Sequence, residues 1–88
     1  MQIVFLKKFS KDLDKIQQPR DKKAILELIH NIQNIDSITE LPNVKKLTGF
    51  SDAYRIRIKT LRIGIFITEN QVEFARVAYR KDIYKVSP

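Results

Sequence analysis

Three arginines, Arg55, Arg57 and Arg62, lie within eight residues of one another. This spacing could bring their positive side chains together around one anion. Around them, apolar residues occupy every second position over 54–58 and 61–67, the period of a strand with one buried face. This pattern predicts a β-hairpin that bends at Lys59–Thr60. Arg57 and Arg62 would then be direct cross-strand neighbours, about 5 Å apart at Cβ, where like charges are destabilising. Folding alone gives no reason to pair two guanidiniums, whereas their planar forks match a phosphate.

The alternation also selects the register of this hairpin. With an even number of residues in the bend, the pairs on the apolar face are Ile58 with Leu61, Ile56 with Ile63 and Tyr54 with Ile65. The opposite face carries Arg55, Arg57, Arg62, Gly64 and Phe66. A slip of one residue would mix the two faces. Gly64 would let a ligand backbone approach the sheet closely. The alternative interpretation is a solvated polar face whose arginines lie apart.

Composition and charge point to the kind of partner. The 88 residues predict one small domain, 1–88, and the net charge is +7. Residues 1–44 hold seven Lys/Arg and six Asp/Glu, whereas residues 45–88 hold ten and four. A polyanion would therefore dock on the second half. Nucleic acid is the first candidate, and an acidic protein is the second.

Several classes of protein are not expected from this composition. No apolar run approaches the ~20 residues that span a bilayer, and lysines follow the first six residues, so we expect neither a membrane partner nor a signal peptide. The chain has no cysteine, which makes the cytoplasm the default location. With one histidine, His30, off the apolar stripe described below, we expect no metal site, and nothing in the sequence predicts a cofactor.

The N-terminal half predicts a strand and two helices. Gln2–Leu6 is an apolar run read as a strand, Ser10 is the expected N-cap of the first helix, and Pro19 is expected to stop that helix. A second helix is expected from Arg20 or Asp21. Its apolar stripe comprises Ile25, Leu28, Ile29, Ile32 and Ile35. The carboxylates Asp12, Asp14, Asp21 and Glu27 interleave with lysines, a pattern typical of a solvated helix face.

Turn residues and strands fill the C-terminal half. Val44–Leu47 is expected to be a short strand or a bend, and Glu69–Asn70 a second turn. Val72–Tyr79 is predicted to be a last strand. Its alternation is irregular, because Arg76 would lie on the same face as the apolar Val72 and Phe74. The expected fold class is α+β: a strand, a two-helix antiparallel hairpin, then three antiparallel strands, with the helices on one sheet face and a basic face opposite.

Motifs between residues 46 and 84 resemble those of a known family. They are Leu47-x-Gly49, Tyr54-Arg55-x-Arg57, Leu61-Arg62-Ile63 and Arg80-x-x-x-Tyr84. In this order and spacing the chain is similar to the RelE/ParE superfamily of toxins from type II toxin–antitoxin pairs, within it the RelE-like branch. The resemblance implies an endoribonuclease, an mRNA interferase that cuts messenger RNA in the ribosomal A site and inhibits translation. It also implies a cognate antitoxin, with the ribosome and mRNA as further partners.

The resemblance carries roles onto individual residues. It implies that Arg57, Arg62, Arg80 and Tyr84 are catalytic, and we expect Arg55, Lys59, Tyr79 and Lys81 to contact RNA. RNA cleavage without a metal ion requires the 2′-hydroxyl to be deprotonated, the phosphorane charge to be neutralised and the leaving oxygen to be stabilised. Arginines suit the second task, but a guanidinium does not deprotonate in proteins, so Arg57 is a poor base. Four candidates remain for the general base that deprotonates the 2′-hydroxyl: Tyr79, Tyr84, ribosomal RNA and solvent.

Two other functions remain open from the sequence. A ParE-like toxin would share the fold and act on DNA gyrase without being an enzyme. A catalytically decayed module would use its basic face only to bind the antitoxin. The full set of Arg57, Arg62, Arg80 and Tyr84 favours cleavage over both.

Overall fold

Helices cover one face of a five-stranded sheet in the computed structural model of this protein, which describes residues 1–86. The strands are β1 (Gln2–Phe5), β2 (Val44–Lys46), β3 (Ala53–Ile58), β4 (Leu61–Thr68) and β5 (Gln71–Tyr79). The helices are α1 (Lys7–Asp14), α2 (Pro19–Gln33) and α3 (Ile83–Val86), and a short 3-10 helix spans Ile38–Glu40. No helix of residues 1–86 is long and apolar enough to cross a bilayer.

The sheet has the strand order β1-β5-β4-β3-β2. β1 pairs parallel to β5, and the other neighbours pair antiparallel, so the sheet is mixed. The predicted α+β class is confirmed. The segment left open as strand or bend is a strand, β2, and it lies at the sheet edge beside β3.

The central hairpin has the predicted register. Ile58 pairs with Leu61, Ile56 with Ile63 and Tyr54 with Ile65, and on the other face Arg57 pairs with Arg62. The connection has two residues, Lys59 and Thr60, with Lys59 at a positive φ of 54°. Two-residue hairpin loops require such left-handed backbone because it matches the twist of the strands.

The core lies between this hairpin and α2. Ile25, Leu28 and Ile32 of the predicted stripe are buried against β3, β4 and β5. The remaining stripe residues, Ile29 and Ile35, are partly buried at its margin. Burial of Ile25, Leu28 and Ile32 contributes about 1.5–3 kcal/mol for each side chain.

The boundaries of the first two helices differ from expectation. Helix α1 begins at Lys7, so the assignment of Ser10 as its N-cap is wrong; Ser10 lies inside the helix, and its N–H donates to the Leu6 carbonyl. The prediction that Pro19 stops this helix is also wrong. Helix α1 ends at Asp14, and Pro19 opens α2. Proline suits that first position because the missing N–H would have no helical partner there.

Two acidic residues assigned to solvated helix faces are instead buried, and that interpretation is wrong for both. Asp12 is 7% exposed and Asp21 is 4% exposed. The Asp12 carboxylate accepts bonds from Arg76 Nε at 2.7 Å, Arg76 Nη2 at 3.0 Å and the Val77 N–H at 3.1 Å. This fixes α1 to β5.

A β-bulge explains the irregular phase of the last strand. Gly64 pairs with Arg76 and Ile65 with Phe74, which leaves Ala75 as an extra residue. The bulge lets Phe74 and Val77 both enter the core although their positions differ in parity. It lies where the Arg76 side chain meets Asp12.

Candidate functional site

The site is built from cross-strand rows on the sheet face opposite α2. One row joins Arg57 of β3 to Arg62 of β4 and then to Ala78 of β5. The next row joins Lys45 of β2 to Arg55 and then to Gly64. Four positive side chains thereby come from three adjacent strands onto one surface.

Arg62 is fixed by the turn that precedes it. Its Nη1 donates to the carbonyl oxygens of Lys59 and Leu61, each at 2.9 Å. Within the described part of the chain these bonds use only Nη1, so Nε and Nη2 remain as donors for an anion. Burial, and then the nearby charges of Arg80 and Arg57, lower the pKa of Arg62 from its usual value. The guanidinium stays charged because its ordinary pKa is far above neutrality.

Arg80 and Tyr84 reach the same surface from the end of β5. The Arg80 N–H donates to the Thr60 carbonyl, which joins the end of β5 to the hairpin turn. Helix α3 follows at once, and its first residue, Ile83, is 1% exposed. This buried anchor leaves the next residue, Tyr84, 76% exposed. The guanidinium carbon of Arg55 lies 5.2 Å from the centroid of the Tyr84 ring, a cation–π contact.

These side chains border one open cavity of about 360 Å³, which we call the arginine cavity. It is lined by Pro42, Asn43, Val44, Lys45, Arg55, Arg57, Arg62, Arg80 and Tyr84. Within residues 1–86, this lining contains five cations and no carboxylate. A lining of one sign concentrates the electrostatic field and attracts a polyanion.

Lys45 and Asn43 were missed by the sequence analysis. Lys45 pairs with Arg55 in the register, and the Asn43 carbonyl accepts the Arg57 N–H at 3.0 Å. The adjacent lysines of Val44-Lys45-Lys46-Leu47 were the available signal, because successive residues of a strand lie on opposite faces and one of the two lysines must therefore lie on the basic face. Its pairing with β3 could not be read from the sequence.

Three residues expected to contact RNA lie outside the arginine cavity. Lys59 lines a separate groove beside α2, and its carbonyl holds Arg62. Tyr79 and Lys81 line a groove that adjoins the cavity at Arg80 and Tyr84. The other five expected residues, Arg55, Arg57, Arg62, Arg80 and Tyr84, all line the cavity itself.

Tyr79 makes a contact that bears on proton transfer. Its hydroxyl donates to Asp21 Oδ2 at 2.7 Å. The hydrogen bond to Asp21, with burial and the charge of that carboxylate, raises the pKa of Tyr79 above its ordinary value. A raised pKa opposes service as a base at neutral pH.

We expect Tyr79→Phe to lower the midpoint of thermal unfolding, because it leaves the buried Asp21 carboxylate without this donor. The raised pKa means that the contribution of the bond is complete below pH ~10 and is lost as the pH rises further. Circular dichroism melts at pH 7 check the first statement. Tyr84→Phe, which removes the same hydroxyl from an exposed ring, should melt like the parent chain and is the control.

Within the described residues, no group of three or more His, Cys, Asp or Glu side chains could hold a metal ion. His30 is exposed on α2, where the Asn34 side chain donates to its carbonyl.

Comparisons with known proteins identify the family. No protein-family model matches the sequence. Toxin RelE3 of Methanocaldococcus jannaschii is 37% identical over 89 residues, and the match covers 100% of both chains. The chain belongs to the RelE family of toxins. The resemblance to this family seen in the sequence is confirmed, and with it the class of type II toxin–antitoxin toxins.

Solved structures share the fold of this RelE-family chain. The RelB–RelE antitoxin–toxin complex from Methanococcus jannaschii superposes with a TM-score of 0.82 at 36% identity, over 97% of this chain and 99% of that one. The intact E. coli RelBE complex gives a TM-score of 0.69 at 15% identity, over 89% of this chain and 94% of that one. At such low identity the second likeness shows the fold alone.

Proposed function

We propose that this RelE-family toxin is a ribosome-dependent endoribonuclease that cuts messenger RNA in the A site without a metal ion. One observation carries the proposal: Arg55, Arg57, Arg62, Arg80 and Tyr84 border a single open cavity. We place the activity in one domain spanning the chain and in the cytoplasm, where translating ribosomes supply the substrate. Cleavage of A-site codons would halt translation.

The reaction we propose is a transesterification at phosphorus. The 2′-oxygen attacks the adjacent phosphorus and loses its proton, while the bond to the 5′-oxygen breaks and that oxygen gains a proton. Arg57, Arg62 and Arg80 neutralise the charge that accumulates on the phosphorane oxygens. Tyr84 borders the cavity and Tyr79 does not. The candidates for proton transfer are therefore Tyr84, ribosomal RNA and solvent.

The ring of Tyr84 should hold a nucleotide in line for this attack. Arg55 covers the ring at 5.2 Å, and the ring is otherwise exposed. Since stacking of a base on an aromatic side chain is worth about 1–3 kcal/mol, Tyr84→Ala should reduce cleavage about 10- to 100-fold. Tyr84→Phe, which keeps the ring, should retain most of the activity. Single-turnover cleavage on programmed ribosomes measures both, and equal losses in the two variants would assign the role to the hydroxyl instead.

Mapping of messenger RNA ends tests the proposed function. The protein is induced in cells, and primer extension locates the new 5′ ends on translated messages. Cuts in phase with codons are expected, and purified ribosomes programmed with the same message should give the same cuts. Ends without codon phase, or accumulated gyrase–DNA cleavage complexes, would contradict the proposal.

We also propose a cognate antitoxin as the protein partner. The relatives from Methanococcus jannaschii and E. coli were solved as antitoxin–toxin complexes. An acidic antitoxin segment would supply carboxylates to the arginine cavity, which has none of its own within residues 1–86. Such a segment would occupy the place of the RNA phosphates and so block cleavage.

A further inference from the structure

A second groove adjoins the arginine cavity at Arg80 and Tyr84. It has a volume of about 660 Å³ and is lined by Thr60, Tyr79, Arg80, Lys81 and Tyr84. We call it the Tyr79 groove. Ligand sites in proteins commonly measure about 300–1,000 Å³, so the groove is large enough for a nucleotide. Arg80 and Tyr84 also serve the proposed cleavage, whereas Thr60, Tyr79 and Lys81 do not.

The groove is continuous with the cavity through two residues. Arg80 and Tyr84 line both, whereas Arg55 lines only the cavity. The Arg55 guanidinium lies 5.2 Å from the centroid of the Tyr84 ring, and Tyr84 is still 76% exposed, so its ring can border the cavity and the groove together. A chain whose phosphate lies in the cavity can therefore continue past Tyr84 into the groove.

The chemistry of the groove matches one nucleotide. Two tyrosine rings give it aromatic surface for a base, and stacking on such surface tolerates any base. Arg80 and Lys81 give it positive charge for the next phosphate, and Thr60 adds a hydroxyl that can donate or accept a hydrogen bond. The Tyr79 ring is fixed by its bond to Asp21, so this wall of the groove is formed before any ligand arrives.

We propose that the Tyr79 groove is a subsite for single-stranded RNA that binds the first nucleotide beyond the two that flank the scissile phosphate. This subsite rests on the proposed function, which identifies the RNA as messenger RNA. It adds a second place at which the protein contacts that RNA. Lys81 binds the phosphate of that nucleotide, and the Tyr79 ring holds its base. The subsite tightens binding of RNA without selecting among the four bases.

Binding of short RNAs tests the subsite without relying on cleavage. Fluorescently labelled 2′-O-methyl RNAs of two and four nucleotides are titrated with the full chain. The dinucleotide fills the arginine cavity, and the tetranucleotide also reaches the groove. We expect the tetranucleotide to bind about 10-fold more tightly, the effect of one stacked base and one phosphate. Lys81→Glu should remove that advantage and leave the affinity for the dinucleotide nearly unchanged.

Lys23→Glu is the matched control, since Lys23 is an exposed lysine of α2 outside both the cavity and the groove. It should keep the tetranucleotide advantage. Equal affinities for the two RNAs in the parent chain, or equal effects of the two lysine variants, would overturn the inference. So would a Lys81→Glu variant that binds RNA normally but loses antitoxin, because the groove would then belong to the antitoxin. Parent protein that shows the tetranucleotide advantage but cuts no mRNA on ribosomes would refute the proposed cleavage and leave the subsite standing.

Discussion

Replacing Arg62 by alanine should reduce mRNA cleavage on the ribosome about 10²- to 10³-fold while the fold is retained. Losses of this size follow the removal of one preorganised donor that stabilises charge in a transition state. Arg62 meets that description because its Nη1 is already bonded to two turn carbonyls, which hold the guanidinium before RNA binds. The Arg62 side chain therefore does not have to be ordered at the moment of reaction.

The folded chain tolerates this guanidinium at an electrostatic cost. Burial and the charges of Arg80 and Arg57 disfavour the cation, as the lowered pKa of Arg62 records. A phosphate relieves that repulsion when it enters the arginine cavity, and the extra charge of the phosphorane relieves it further. The cluster is therefore better matched to the transition state than to the empty site.

Arg20→Ala is the control for the Arg62 measurement. Arg20 lies on α2 with its side chain 79% exposed, and its loss changes the net charge by the same amount. Single-turnover rates on ribosomes programmed with one A-site codon compare the two variants, with circular dichroism to verify the fold. Similar rates for Arg62→Ala and Arg20→Ala would mean that Arg62 does not act on the phosphate.

Replacing Asp12 by alanine should cost about 3 kcal/mol of the free energy of unfolding, since breaking a buried pair leaves the other charge without its partner. The two side chains are 9% exposed at Asp12 and 19% exposed at Arg76. The Val77 N–H would also lose its acceptor. A chain of this length has a total stability of only about 4–13 kcal/mol, so the loss is a large fraction of it.

The Asp12–Arg76 contact should also make the free energy of unfolding depend on pH. Burial alone would raise the pKa of Asp12, but the hydrogen bonds from Arg76 and Val77, with the charge of Arg76, outweigh it and hold the pKa below its usual value. Because the folded pKa is depressed, the stabilisation is complete above the unfolded pKa of about 3.9 and is lost as the pH falls through the folded value. Asp12→Ala should therefore flatten the stability profile at acidic pH.

Asp14→Ala is the matched comparison for Asp12. Asp14 is exposed on the same helix, and its loss changes the charge equally. Urea unfolding at pH 7 and at acidic pH measures both. If the two variants have the same midpoint, the Asp12–Arg76 contact does not stabilise the fold.

The central hairpin was predictable in detail because the apolar alternation before the bend and the apolar alternation after it select the same register. Alternation places isoleucines on one face, and only an even bend at Lys59–Thr60 keeps them together. The pairing of Arg57 with Arg62 follows from that register. The family resemblance then added Arg80 and Tyr84, which the sequence alone could not place beside the hairpin because they lie beyond a further strand.

What the sequence could not supply depends on contacts between distant segments. Asp12 and Arg76 are 64 residues apart, and each looks like an ordinary surface charge in its own element. The extra residue at Ala75 shifts the phase of β5; the position of Arg76 marked the irregularity in the sequence but did not identify it as a bulge. Lys45 joins the arginines only through the pairing of a three-residue edge strand.

The central claim is that Arg57, Arg62 and Arg80 hold one phosphodiester of the A-site codon beside Tyr84. A structure of the toxin on a ribosome programmed with mRNA that carries a 2′-O-methyl group at the cut site would observe this directly. We expect the scissile phosphate in the arginine cavity, within hydrogen-bonding distance of these guanidiniums. A scissile phosphate outside the cavity, with the arginines bound only to ribosomal RNA, would contradict the account.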